Sequence, residues 1–105
     1  MKWDNKKTEY LLNAVLALKN LKEAKAFFRD LLTADELDEF GSRWLAVQML
    51  SAKVSYNTIQ KQTRLSSRTI ARISKWLQNG KGGYKLMLNR KGNHHTPLLA
   101  RKGLS

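Results

Sequence analysis

Residues 55–79, SYNTIQKQTRLSSRTIARISKWLQN, constrain this chain more than any other stretch. They hold two short segments with apolar residues at helical spacing, each led by serine and separated by a few residues. Ser55 predicts an N-cap for a helix over 56–62. Ser66 or Ser67 predicts one for a second helix ending near Asn79-Gly80. Two short helices joined by so brief a turn must cross steeply, and their contact needs apolar residues at fixed places. Ile59, Leu65, Ile70, Ile73 and Leu77 supply them, which is the layout of a helix-turn-helix. Two positions depart from that layout. Gln60 stands where a small residue is usual, and Arg64 stands where the turn usually has glycine. A left-handed Arg64 costs about 1–2 kcal/mol, so the turn either differs or tolerates the strain.

Charge gives this pair of segments a direction. Residues 1–52 hold eight cations and eight anions, whereas residues 53–105 hold 12 cations and no side-chain carboxylate. The whole net charge of +12 therefore lies in the second half. A neutral half joined to a half without acids implies a scaffold and a surface for a polyanion. In a helix-turn-helix the first residues of the second helix face the major groove of double-stranded DNA. Here these are Ser67, Arg68, Thr69, Ala71 and Arg72, with Ser66 just before them also a DNA-binding candidate. Arginine pairs bidentately with guanine, and threonine or alanine packs on the thymine methyl. Tyr56, Asn57, Lys61, Arg64 and Lys75 flank them as phosphate contacts, which position the protein without reading sequence.

Other readings of the basic half compete with this one. A solvated amphipathic pair usually mixes charge signs, and this stretch does not. A membrane-surface helix needs a wide apolar face, whereas these apolar residues are required between helices. An RNA-binding or ribosome-associated basic module is the main alternative, although the usual platforms for single strands are missing. A module that binds an acidic protein partner is a third reading.

The remaining chain reads as helical. Leu11, Leu12, Val15, Leu16 and Leu18 predict a helix over 5–19. Asn20 predicts a cap for a second, with Leu21, Ala24, Phe27, Phe28, Leu31 and Leu32 on its apolar side. Thr33-Ala34-Asp35-Glu36 is a T-x-x-E capping box opening a third, which carries Leu37, Phe40, Trp44, Val47 and Leu50. Gly41 inside that helix costs roughly 1 kcal/mol and suggests a backbone or large ring packed close. Residues 84–89 fit either a short helix or a strand. From Arg90 the tail is polar and basic and reads as flexible when free. At 105 residues the chain has one domain's worth of sequence and a modest core, for which oligomerisation is a natural supplement. The absence of cysteine excludes a disulfide framework and fits a reducing cytoplasm. The N-terminal apolar run is interrupted by Asn13 and Lys19, so neither a signal peptide nor a membrane span is expected.

LLTADELDEFGSRWLAVQML followed by VSYNTIQKQTRLSSRTIARISKWL resembles the Trp repressor family, more closely its broader branch of regulators with unassigned ligand. The likeness spans roughly residues 27–78 and rests on the L-T-x-D-E-L segment, the G-S-R after it and the T-I-x-R of the second motif helix. It implies an all-α, intertwined homodimer with a helix-turn-helix in each subunit, acting as a transcriptional repressor on a palindromic operator. The implied division is a helical domain over 1–80, with dimerisation helices in 1–53 and the motif in 54–79, then a basic tail over 81–105. It also implies a small-molecule effector site. Thr33 and Arg72 match the residues that hold the corepressor carboxylate in tryptophan-sensing members, and Arg43 matches the one stacked on the indole. Ile73 and Trp76 stand where those members have glycine and serine, and their bulk is expected to fill the space tryptophan needs. Each of the three has a structural role too: Thr33 as a helix cap, Arg43 as the i,i+4 partner of Glu39, and Arg72 toward DNA.

No cofactor, metal or enzymatic activity is expected. His94-His95 is a thin metal pair with no carboxylate nearby. Gly80-Lys81-Gly82-Gly83 resembles a phosphate loop only in composition. A functional role for the tail would use Lys81, Lys85, Arg90, Lys91, Arg101 and Lys102 on DNA phosphates or in the minor groove.

Overall fold

The structure, a computed structural model, describes residues 2–91. The histidine pair and the end of the basic tail, including Arg101 and Lys102, lie outside the described residues. The described residues form six helices and no strand: α1 (Lys6–Ala17), α2 (Leu21–Leu31), α3 (Ala34–Ser51), α4 (Tyr56–Thr63), α5 (Ser67–Asn79) and α6 (Gly83–Lys91). None of these helices is long and apolar enough to cross a membrane. The chain divides within α3 into two compact units, Met1–Leu37 and Asp38–Ser105.

Side-chain caps set the helix starts. Asn5 Oδ1 accepts from the Thr8 backbone N–H at 3.0 Å, and Asn20 Oδ1 from that of Glu23 at 2.9 Å. The capping box at Thr33 is reciprocal. Glu36 N–H donates to Thr33 Oγ1 at 3.0 Å, and Thr33 N–H donates to Glu36 Oε1 at 2.9 Å. Each such cap satisfies an N–H that the first turn leaves orphaned, and losing one costs about 1 kcal/mol.

In the first unit no residue of α1 or α2 is buried. Phe27 and Phe28 meet edge to face with ring centroids 5.5 Å apart. Large apolar side chains remain in solvent, with Leu16 81%, Leu21 70% and Tyr10 69% exposed. An apolar hollow of about 440 Å³ lies between Leu21, Ala24, Phe28 and Leu37.

The second unit has the core. Ala46, Val47 and Met49 of α3, Ile59 of α4, and Ile70 and Ile73 of α5 are buried together. Leu65, Leu77, Tyr84 and Leu88 pack against them half-buried. Burying an aliphatic side chain of this size contributes about 1.5–3 kcal/mol, so α4 and α5 owe their stability to this contact. All five residues predicted to join the motif helices do so. The end of α3 is a Schellman turn. Val54 N–H reaches Met49 O at 3.0 Å and Lys53 N–H reaches Leu50 O at 3.0 Å, with Lys53 left-handed at φ 66°.

Three details differ from expectation or settle it. Gly41 has no close neighbour, since a Cβ there would meet nothing within 4 Å, so no ring or backbone packs on it within the described chain. The 84–89 segment is helical, extended to Gly83–Lys91. It is anchored by Tyr84, whose ring lies 6.4 Å from that of Trp44, and by Leu88. The first part of the segment read as tail is thus a docked helix.

Candidate nucleic-acid interface

The turn between α4 and α5 is built from three local interactions. Thr63 is nearly buried; its hydroxyl donates to Ile59 O at 2.7 Å and accepts from Leu65 N–H at 3.2 Å. Arg64 adopts φ 63° and ψ 12°, the left-handed cap, and its N–H closes on Gln60 O at 2.8 Å. The strain expected at Arg64 is therefore accepted, held by the pins on either side. Ser66, not Ser67, caps α5: its Oγ accepts from Thr69 N–H at 3.1 Å and lies 3.0 Å from Thr69 Oγ1. Ser55 does the same for α4 through Thr58.

These caps fix which side of α5 is free. Ile70 and Ile73 point inward, which leaves Ser67, Arg68, Ala71, Arg72 and Lys75 exposed. Tyr56, Asn57, Lys61, Arg64 and Ser66 are exposed as well, and Thr69 is half-buried. The sequence-predicted residues thus come together on two short helices and their turn. No carboxylate lies on this element to oppose Lys61, Arg64, Arg68, Arg72 and Lys75. Among the described residues, Arg43–Glu39 on α3 is the one salt bridge, at 2.6 Å and largely exposed. The arrangement offers several unpaired cations and a helix N-terminal turn of Ser, Arg and Thr, which suits phosphate contact and base-edge contact respectively.

Beside this element is a cavity of about 580 Å³. Arg43 and Trp44 reach it from α3, Arg72, Ile73 and Trp76 from α5, Lys81 from the approach to α6, and Tyr84 from α6 itself. Ile73 and Trp76, whose bulk is expected to fill the space tryptophan needs, both line this cavity. Ile73 turns into the core, while Trp76 stands at the edge, 53% exposed. Gly80 makes that position available, because a Cβ there would collide with the Trp76 ring and carbonyl. Thr33 belongs to the first unit, where its backbone and hydroxyl serve the capping box. Lys85, one of the tail cations, donates from Nζ to Gln78 O at 3.3 Å, tying α6 to the last turn of α5. Sequence reasoning missed Lys81 and Tyr84 as cavity residues; the G-K-G-G run was the available signal. Among the described residues no group of His, Cys, Asp and Glu is placed to hold a metal ion.

An all-helical chain with this basic helix-turn-helix falls in the class of DNA-binding regulators. It belongs to the Trp repressor family: residues 6–92 match the family described as Trp repressor protein. That span takes in α1, α2 and α6, beyond the motifs that first suggested the likeness. The uncharacterized protein YerC of Bacillus subtilis (strain 168) is 34% identical over 85 residues, covering 81% of this chain and 82% of YerC. A crystal structure of a TrpR-like protein from Eubacterium eligens ATCC 27750 superposes with a TM-score of 0.82 at 32% identity, covering 90% of this chain and 97% of that one. A candidate Trp repressor from Staphylococcus aureus gives 0.81 at 28% identity, covering 91% and 99%.

Proposed function

We propose that this protein is a cytoplasmic transcriptional repressor that acts as a homodimer on a palindromic operator in double-stranded DNA. The observation that carries the reading is the exposed, acid-free side of α4 and α5, held in register by the Ser55, Ser66 and Arg64 caps. Arg68, Thr69, Ala71 and Arg72, with Ser67, form the base-reading edge. Tyr56, Asn57, Lys61, Arg64, Ser66 and Lys75 hold phosphates. The exposed Leu16, Leu21 and Tyr10 of the first unit support self-association, since burying them against a second copy removes apolar surface from water. Two reading helices related by a two-fold axis would engage half-sites about 34–36 Å apart. The cavity beside α5 supports a small-molecule effector, with Arg43 and Arg72 among its contacts; Thr33 is the third effector residue proposed.

Selection of bound duplexes from a random pool, with and without tryptophan, tests this reading. The expected product is a palindromic consensus with two half-sites, recovered equally in both conditions. Recovery of unrelated sequences, or stronger competition by structured RNA than by duplex DNA, overturns it in favour of the RNA-binding alternative.

A further inference from the structure

The cavity beside α5 carries unbalanced charge. Three cations reach its lining and no carboxylate does. Arg43 is neutralised by Glu39 at 2.6 Å. Among the described residues, Arg72 and Lys81 have no ion-pair partner. Two cations facing one concave space repel each other, and a bound dianion reverses the sign of that interaction. The other walls are aromatic. Trp44 and Tyr84 lie 6.4 Å apart with their rings tilted by 37°, and Trp76, half-exposed, stands at the rim. A volume of about 580 Å³ holds a small organic ligand.

These features select among ligand chemistries. A zwitterionic amino acid answers the cations with a single carboxylate charge and adds an ammonium group to a lining that already carries net positive charge. Inorganic phosphate answers the cations and leaves the rings uncovered. A neutral aromatic covers the rings and leaves the cations. We propose that this cavity binds an aromatic phosphate monoester, with its ring against Trp76 and Tyr84 and its phosphate between Arg72 and Lys81. Such a phosphate carries about −1.5 to −2 charges at neutral pH, which matches the two unpaired cations. The chemistry is shared by nucleoside monophosphates and by phosphorylated pyridine vitamins. The site deepens the effector part of the proposed function and rests on that part for its regulatory meaning. Occupancy draws Arg72 toward the ligand and away from the DNA edge, so the ligand acts as an inducer. Binding itself requires no DNA.

Calorimetric titration of the full chain in phosphate-free buffer tests the site, with adenosine, guanosine and cytidine monophosphates in one arm and pyridoxine 5′-phosphate in the other. Adenosine, glucose 6-phosphate and L-tryptophan are the comparators. At least one aromatic phosphate is expected to bind about tenfold or more tightly than every comparator, as charge-assisted contacts at two cations imply. The arm in which it falls identifies the source. Lys81→Gln is expected to remove that preference while the thermal transition stays in place. Trp76→Leu provides a second variant that weakens the aromatic phosphates but leaves glucose 6-phosphate unchanged. No aromatic phosphate bound at about 1 mM, binding equal to that of glucose 6-phosphate, or tighter binding of L-tryptophan overturns the site. DNA affinity is measured separately by anisotropy, without and then with ligand. Failure to bind DNA at all refutes the regulator reading and leaves the titration standing. Tighter DNA binding with ligand refutes the inducer role.

Discussion

Replacing Arg64 separates two properties that one residue supplies. Its backbone is left-handed, at φ 63° and ψ 12°, and its side chain is a proposed phosphate contact. Arg64→Gly and Arg64→Ala remove the same charge but differ in backbone freedom. The left-handed conformation costs a residue with a Cβ about 1–2 kcal/mol. Glycine escapes that cost and gives back roughly 0.5–1 kcal/mol through its greater freedom when unfolded. The glycine variant is therefore expected to be about 0.5–1 kcal/mol more stable than wild type, a rise in Tm of about 2–8 °C for a domain of this size. The alanine variant keeps the strain and stays within about 0.5 kcal/mol of wild type. The Arg64 N–H bond to Gln60 O at 2.8 Å is backbone to backbone and survives in both. Thermal denaturation at one fixed protein concentration reads these values. In DNA binding the two variants should be alike. Each lost phosphate contact lowers the slope of log affinity against log salt by about 0.9, or about 1.8 for a dimer. Equal stability of the glycine and alanine variants refutes the left-handed turn. An unchanged salt slope in both refutes the phosphate contact and leaves the turn intact.

Ile59 is fully buried between the motif helices, so Ile59→Ala is expected to cost about 2–5 kcal/mol by urea denaturation. A loss under about 1 kcal/mol contradicts the packing of α4 on α5. Arg68→Ala is expected to relax discrimination at one base pair of the half-site by about 1–3 kcal/mol, measured against a panel of single-substitution duplexes. Uniform weakening across the panel makes Arg68 a phosphate contact instead. Leu16→Asp is expected to shift the protein toward monomer in sedimentation equilibrium, because Leu16 is 81% exposed in the single chain. An unchanged dimer mass removes Leu16 from the interface.

Locally encoded features were legible in the sequence. Caps at Asn20, Thr33 and Ser55 act within three residues of themselves, so a short window contains the whole interaction. The apolar spacing of Ile59, Ile70, Ile73 and Leu77 placed the motif core for the same reason. The choice between Ser66 and Ser67 was not legible, since both precede the helix and only geometry shows which hydroxyl reaches Thr69. α6 was left open because Leu86, Met87 and Leu88 are consecutive and carry neither period, while its anchor is the distant Trp44. The cavity was hidden for a related reason. The size of Ile73 and Trp76 is read directly from the sequence, but a side chain's volume does not disclose its direction. Gly80 lets the Trp76 ring stand at the edge, and Lys81 and Tyr84 reach the cavity only because α6 folds back.

The absence of any side-chain carboxylate after Glu39 sets fold and function against each other through salt. The second unit folds by drawing like charges together, with no acids of its own after Glu39 to screen them. Dissolved ions do that screening, so raising ionic strength firms the fold. The same ions displace the protein from a polyanion and loosen the complex. Stability and affinity thus have opposite slopes along one axis. At the dilute end the nucleic acid itself is the counter-ion, and the unit is held together in part by what it holds.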